Sequence, residues 1–243
     1  MSGSARVLSV SFIVALLWLP LCHGQWSADP ASNLVLADHS GPQGDTRIVA
    51  RSDGGFYVSW FDSSAGDMDV YLQRLDAAGV EMWPHNGILV ADRGLSYSVG
   101  YGLSVDTQGN ALLAFRDDRS GTIEITVAKV SAAGALSWGS NGVQVSAGGS
   151  VVSAGVAGTT DGNVVVAWME DDQVRAQKLA PNGSPLWGAG VTLSPPSGSY
   201  GLADVRAADA GHAIVSIVHS PVFMTNHLLA QKLASADGAP LWG

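Results

Sequence analysis

Along most of the chain apolar and polar positions alternate in short runs closed by Gly, Asn or Asp, and this pattern predicts strands throughout. The clearest runs follow tight-turn sequences: Phe56 to Trp60 after Asp53-Gly54-Gly55, Ala111 to Phe115 after Gln108-Gly109-Asn110, Val164 to Trp168 after Asp161-Gly162-Asn163, and Ala213 to Ile217 after Ala210-Gly211-His212. Such turns need positive φ, which Gly and Asn tolerate, so they read as hairpin connections. Past the first segment no stretch sustains an apolar period of 3.6 residues, and helices are not expected. Within each run a bulky residue (Trp60, Phe115, Trp168 or Ile217) follows a small one (Ser59, Ala114, Ala167 or Ser216). Neighbouring strand residues point to opposite faces, so each sheet has one bulky and one hollow face at that level. The bulky face of one sheet is then expected to fill the hollow of the next.

Tryptophan marks the period. Trp26, Trp83, Trp138, Trp187 and Trp242 follow one another at intervals of 57, 55, 49 and 55 residues. A period near 50 indicates stacked supersecondary units. Gly79, Gly134, Gly183 and Gly238 each precede a Trp by four residues, and a basic residue, Arg74, Lys129, Lys178 or Lys232, sits in the apolar run ahead of each. In the second unit the four strands are expected at Gly102 to Val105, Asn110 to Arg116, Glu124 to Val130 and Leu136 to Val145. The expected fold is all-β: a β-propeller of four-stranded antiparallel blades at 25–243, with units at about 26–82, 83–137, 138–186 and 187–242.

The Gly-x-x-x-Trp turns, above all Leu75-Asp76-Ala77-Ala78-Gly79-Val80-Glu81-Met82-Trp83, resemble the tryptophan-docking motif of quinoprotein-type propellers. The whole repeat is similar to propeller repeats of secreted bacterial proteins. The resemblance covers residues 26 to 242 and implies a packing motif; three units lack the Asp at its second position, and no quinone ligand is identified. Ser235-Ala236-Asp237-Gly238 resembles the Asp box of sialidase propellers, with its Gly displaced by one and no companion copies. The four units fit either a closed ring or an arc of a larger propeller. In the ring, Asn33 to Leu36 would supply a fourth strand to the sheet containing Leu228 to Leu233, and Trp26 and Trp242 would compete for one docking slot. In the arc, the chain is a fragment without independent activity.

Composition narrows the function classes. The 243 residues are 47% hydrophobic, too apolar for a disordered chain. A net charge of -9 gives no basis for gripping nucleic acid. Residues 1–24 have the layout of a secretory signal peptide: Arg6, an apolar run from Val7 to Leu21, then Cys22-His23-Gly24. At about 15 residues that run is short of the ~20 that span a bilayer. Secretion or a periplasmic location is therefore expected, with lipidation at Cys22 the lesser alternative and no transmembrane anchor in the mature chain.

Candidate chemistry lies in the loops after the second strands. Asp62, Asp117, Glu170 and His219 occupy equivalent places, with Asp118 and Asp171 beside them. These six are the ligand-face candidates. Asp67, Asp69, Asp117 and Asp171 are oxygen donors of the type that suits Ca²⁺, the one cofactor considered. The favoured expectation is a non-enzymatic scaffold presenting this acidic face to a protein or glycan. The alternative is a glycoside hydrolase or lyase, whose chemistry needs two carboxylates about 5 to 9.5 Å apart, drawn from Asp62, Asp117 and Glu170. Repetition of an acid in three units argues for a scaffold role. No catalytic residue is assigned.

Overall fold

A computed structural model describes residue 29 and residues 31–242. The expected signal peptide with Cys22, and Trp26, lie outside the described residues. Within them the chain forms β1 (Gln43–Ala50), β2 (Phe56–Asp62), β3 (Asp69–Leu75), β4 (Ile88–Ala91), β5 (Gly102–Val105), β6 (Ala111–Asp117), β7 (Glu124–Val130), β8 (Val143–Gln144), β9 (Val151–Gly158), β10 (Val164–Glu170), β11 (Gln173–Leu179), β12 (Val191–Leu193), β13 (Ser199–Ala207), β14 (Ala213–Val222) and β15 (Thr225–Leu233). These make four antiparallel sheets, ordered β1-β2-β3-β4, β5-β6-β7-β8, β9-β10-β11-β12 and β13-β14-β15. The protein is all-β, as its alternation requires, and its one helical element among the described residues is a 3-10 turn at Asp209–Gly211.

The expectation of four strands per sheet is met three times; the last sheet has three. The fourth strands are also shorter than expected. In the second sheet Leu136 makes only an isolated bridge to Val130, and the strand proper is Val143–Gln144. Trp138 lies in the loop between them, because it is used for packing against the next sheet. Each of the first three sheets is thus offset from the tryptophan-to-tryptophan units, its own fourth strand following its Trp.

The sheets nest by the expected bulky and hollow faces. Phe115 shares a buried cluster with Tyr57 and Phe61 of the first sheet, Trp168 with Leu112 and Ala114 of the second, and Ile217 with Val165 and Ala167 of the third. Trp60, Phe115, Trp168 and Ile217 are 3%, 0%, 2% and 3% exposed. No buried cluster among the described residues joins the fourth sheet to the first. The bulky face of the first sheet is instead covered by Leu34, Leu36 and Ala37, which pack near Val58, Trp60 and Leu75. This corrects the expectation that Asn33 to Leu36 pairs with β15: the segment is not a strand, and the Asp38 amide and side chain bond Asn86 beside β4.

Two repeating ties reinforce each seam. The first is the Gly-x-x-x-Trp turn. Trp83 lies against Gly134, Trp138 against Gly183 and Trp187 against Gly238, each indole resting on the turn of the following unit. The indole N–H of Trp138 donates to the Pro181 carbonyl (2.9 Å) and that of Trp187 to the Ser235 carbonyl (3.1 Å). The second tie is the recurrent cation. Lys129 pairs with Asp106 at 2.9 Å, Lys178 with Asp161 at 2.7 Å and Arg74 with Asp53 at 3.6 Å, in each case the acid at the turn between the first two strands of the same sheet. Lys178 also donates to the Gly211 and Ser235 carbonyls, and Arg74 to the Ala132 carbonyl, all in the next unit. The fold without disulfides among its described residues is stapled by side chains.

Candidate functional site

The recurrent loop acids are turned into the scaffold. Asp62 is fully buried; it accepts the Ser64 amide at 2.8 Å, His39 Nδ1 lies 3.1 Å away and Trp60 Nε1 is at 3.5 Å. Burial pulls its carboxyl upward, but hydrogen bonds from Ser64, His39 and Trp60 outweigh this and hold it below the ordinary carboxylate value. Asp117 is 5% exposed and gripped by Arg119, Nε to Oδ1 at 2.9 Å and Nη2 to Oδ2 at 2.7 Å. Burial again raises it, and the Arg119 side chain and amide prevail to lower it. Asp117, Arg119, Thr126, Asn141 and Gln144 line a cavity of about 220 Å³. Glu170 accepts the Trp168 indole N–H at 2.7 Å and faces Arg175 at 3.5 Å.

Asp118 and Asp171 clamp the loops that lead into their sheets. Asp118 Oδ1 accepts the Gly94 amide and Asp171 Oδ1 the Ser150 amide, both at 2.8 Å. Asp171 and Asp172 are also the two-residue turn joining β10 to β11, with φ of 47° and 62°. Aspartate tolerates that left-handed region better than most residues. His219 is 8% exposed, its Nε2 lies 2.8 Å from the Ser197 carbonyl oxygen, and it packs edge-on against Tyr200 at 5.1 Å.

Of the four oxygen donors considered for Ca²⁺, Asp69, Asp117 and Asp171 have separate partners. Asp69, 2% exposed, accepts the Arg93 amide at 2.8 Å, and Asp67 is its neighbour on the loop. Burial pushes the Asp69 carboxyl up, with the charges of Asp92 and Asp67 adding to it. Asp117 and Asp171 are held by Arg119 and Ser150 as described. No group of three or more His, Cys, Asp or Glu side chains placed to hold a metal ion occurs among the described residues.

A different place gathers residues from all four sheets. β1, β5, β9 and β13, the first strand of each sheet, line one cavity of about 400 Å³. Its polar walls are Arg47, Tyr101, Ser153, Asp204 and Arg206. Tyr101 is 4% exposed, its hydroxyl donates to the Ser59 carbonyl at 3.0 Å, and its ring packs on Phe61 at 4.8 Å. Burial pushes its phenol up to about 12, so it stays protonated at neutral pH. The Arg47 guanidinium lies 5.5 Å from the Tyr101 ring centre. Arg206 Nε donates to Asp204 Oδ2 at 2.7 Å. Asp45, on β1 two residues before Arg47, accepts a hydrogen bond from Ser98 Oγ.

Arg47, Asp204 and Arg206 lie outside the loops that carry the recurrent acids. They sit on strands whose turn-like Gly-rich text carries no recurrent motif. The available sign was charge: Arg47 on β1, and Asp204 and Arg206 alternating on β13, where other first strands show small or apolar residues. Among the tyrosines nearby, Tyr101 is a packing residue, Tyr200 packs on His219, and Tyr97 is exposed with Arg116 over its ring at 5.3 Å.

No family model matches the sequence. No curated protein matches it either. The resemblance to quinoprotein propellers therefore rests on the tryptophan turns alone. Among solved structures, the chain is similar to the α-L-arabinofuranosidase CtGH43 of Clostridium thermocellum, at 16% identity and a TM-score of 0.46 over 81% of this chain and 71% of that one. The α-L-arabinofuranosidase of Lactobacillus brevis gives 11% identity and 0.46 over 83% and 75%. The Hadza microbial sialidase Hz136 gives 12% and 0.49 over 81% of this chain and 45% of its own. These findings run against the expectation of a non-enzymatic binding scaffold: solved structures similar to this chain carry glycosidase names.

Proposed function

We propose that the chain is a glycoside hydrolase whose sugar occupies the cavity ringed by β1, β5, β9 and β13. The same reading takes the four sheets as blades of a propeller and the leader at 1–24 as the means of export. The observation that carries it is the cavity itself. Its walls come from four separate sheets, its volume of about 400 Å³ lies within the range of small-ligand sites, and a carboxylate faces it. Glycoside hydrolysis needs one carboxyl group to protonate the leaving oxygen and a second to act as nucleophile or to activate water. Asp204 is the carboxylate on the cavity wall, oriented by Arg206; Asp45, two residues before the wall residue Arg47 on β1, is assigned as the second. Asp62, Asp117 and Glu170 remain structural in this assignment, since each is held by hydrogen bonds within its own sheet.

The test is turnover of a panel of aryl glycosides by the whole chain and by Asp204→Asn and Asp45→Asn. Each variant is expected to lose on the order of 10²-fold or more in kcat, the scale of a lost acid–base group. Silence across the panel, or turnover unchanged in both variants, overturns the reading.

A further inference from the structure

The charge of the central cavity runs against that of the protein. The chain carries a net charge of -9, yet the ionised side chains on the cavity wall are two guanidinium groups, Arg47 and Arg206, against one carboxylate, Asp204. Asp45 is not part of the wall and is bonded by Ser98.

Arg47 is the unusual member. Among the described residues it makes no ion pair or side-chain hydrogen bond, and its recorded contact is the Tyr101 ring beneath it. Arg206 uses one nitrogen, Nε, on Asp204. Guanidinium groups in this state keep planar pairs of N–H donors for a ligand, and that fork matches a carboxylate in two parallel hydrogen bonds. Ile48, Leu103 and Leu202 supply apolar wall beside these groups.

We propose that this cavity selects an acidic sugar, a uronic acid residue whose carboxylate is held by Arg47 and Arg206. The inference deepens the hydrolase reading and rests on it for the nature of the substrate. Arg47 and Arg206 are positioning residues here, binding the substituent and leaving the bond-breaking to the carboxylates.

The experiment is calorimetric titration of the whole chain with D-glucuronate, D-galacturonate and D-glucose, beside turnover of acidic and neutral aryl glycosides. At least tenfold tighter binding of a uronate than of glucose is expected. The preference should vanish in Arg47→Met or Arg206→Met and persist in weakened form in Arg47→Lys, which keeps the charge and loses the fork. Circular dichroism of each variant establishes that it is folded, and both arginines are exposed enough for replacement without a core defect. Equal binding of uronate and glucose, binding of neither, or an intact preference in both folded Met variants overturns the proposal. The two readings separate cleanly. Turnover confined to neutral glycosides sinks the acidic-sugar assignment and leaves the hydrolase; uronate binding with no turnover on any glycoside sinks the hydrolase alone.

Discussion

Arg93 and Asp69 show how much of the acidic loop face is internal engineering. Arg93 is 2% exposed, donates Nε to the Met68 carbonyl at 2.7 Å and Nη1 to the Arg116 carbonyl at 2.8 Å, and stacks over Phe61 at 4.3 Å. Burial pushes its guanidinium down to about 10, which leaves it charged at neutral pH. Asp69 beside it is raised. A carboxyl whose folded value is raised contributes its full stability below the unfolded value of about 4 and loses it as pH climbs through the folded one. Asp69→Asn keeps an oxygen for the Arg93 amide and removes that loss, so its melting temperature at pH 7 should equal or exceed that of the wild type; a clear drop at pH 7 would refute this. Lys129 and Asp106 pose the opposite case. Both side chains are nearly buried, at 6% and 2% exposed, and Lys129→Met strands the acid. A loss of about 3 to 5 kcal/mol in urea unfolding is expected, the cost of leaving one buried charge without its partner.

At the scale of the element, the tryptophan turns fix how one sheet meets the next. A Cβ on Gly183 would stand 2.8 Å from Val143 and 3.4 Å from Trp138, with φ at +89°. Gly162, at φ +81°, has nothing within 4 Å. Both alanine variants pay about 1 kcal/mol for the left-handed backbone. Only Gly183→Ala also crowds a seam, so it should cost about 1 to 3 kcal/mol more than Gly162→Ala in chemical denaturation; equal costs would show that the turn does not dock. These seams were legible in the text because each repeats the same order of small and bulky residues. Second and third strands were legible for the same reason. Fourth strands were not, since Trp138 and its equivalents break their alternation to serve the neighbouring unit. The site was not legible either: Asp62, Asp117 and Glu170 stood out because they recur, and recurrence follows from scaffold duty, whereas Arg47, Asp204 and Arg206 meet only when separate sheets converge.

For the molecule as a whole, carboxylates set the acid limit. Asp62, Asp106, Asp117 and Asp161 are all held below the ordinary value by hydrogen bonds and cations that outweigh their burial. A depressed folded value contributes stability that is present above the unfolded value near 4 and drains away as pH falls through the folded one. The melting temperature should therefore hold from neutral pH to about 5 and decline below about 4, with Asp106→Asn flattening the decline; a profile level down to pH 3 would refute the linkage.

Indoles against successive turns also give the protein a built-in optical record of its own disassembly. Trp83, Trp138 and Trp187 each sit at a different boundary and are at least half shielded there. Replacing every tryptophan but one of these three with Phe would leave an emission shift that reports a single boundary. Compared across the set, such spectra would reveal whether the boundaries open together or in succession along the chain.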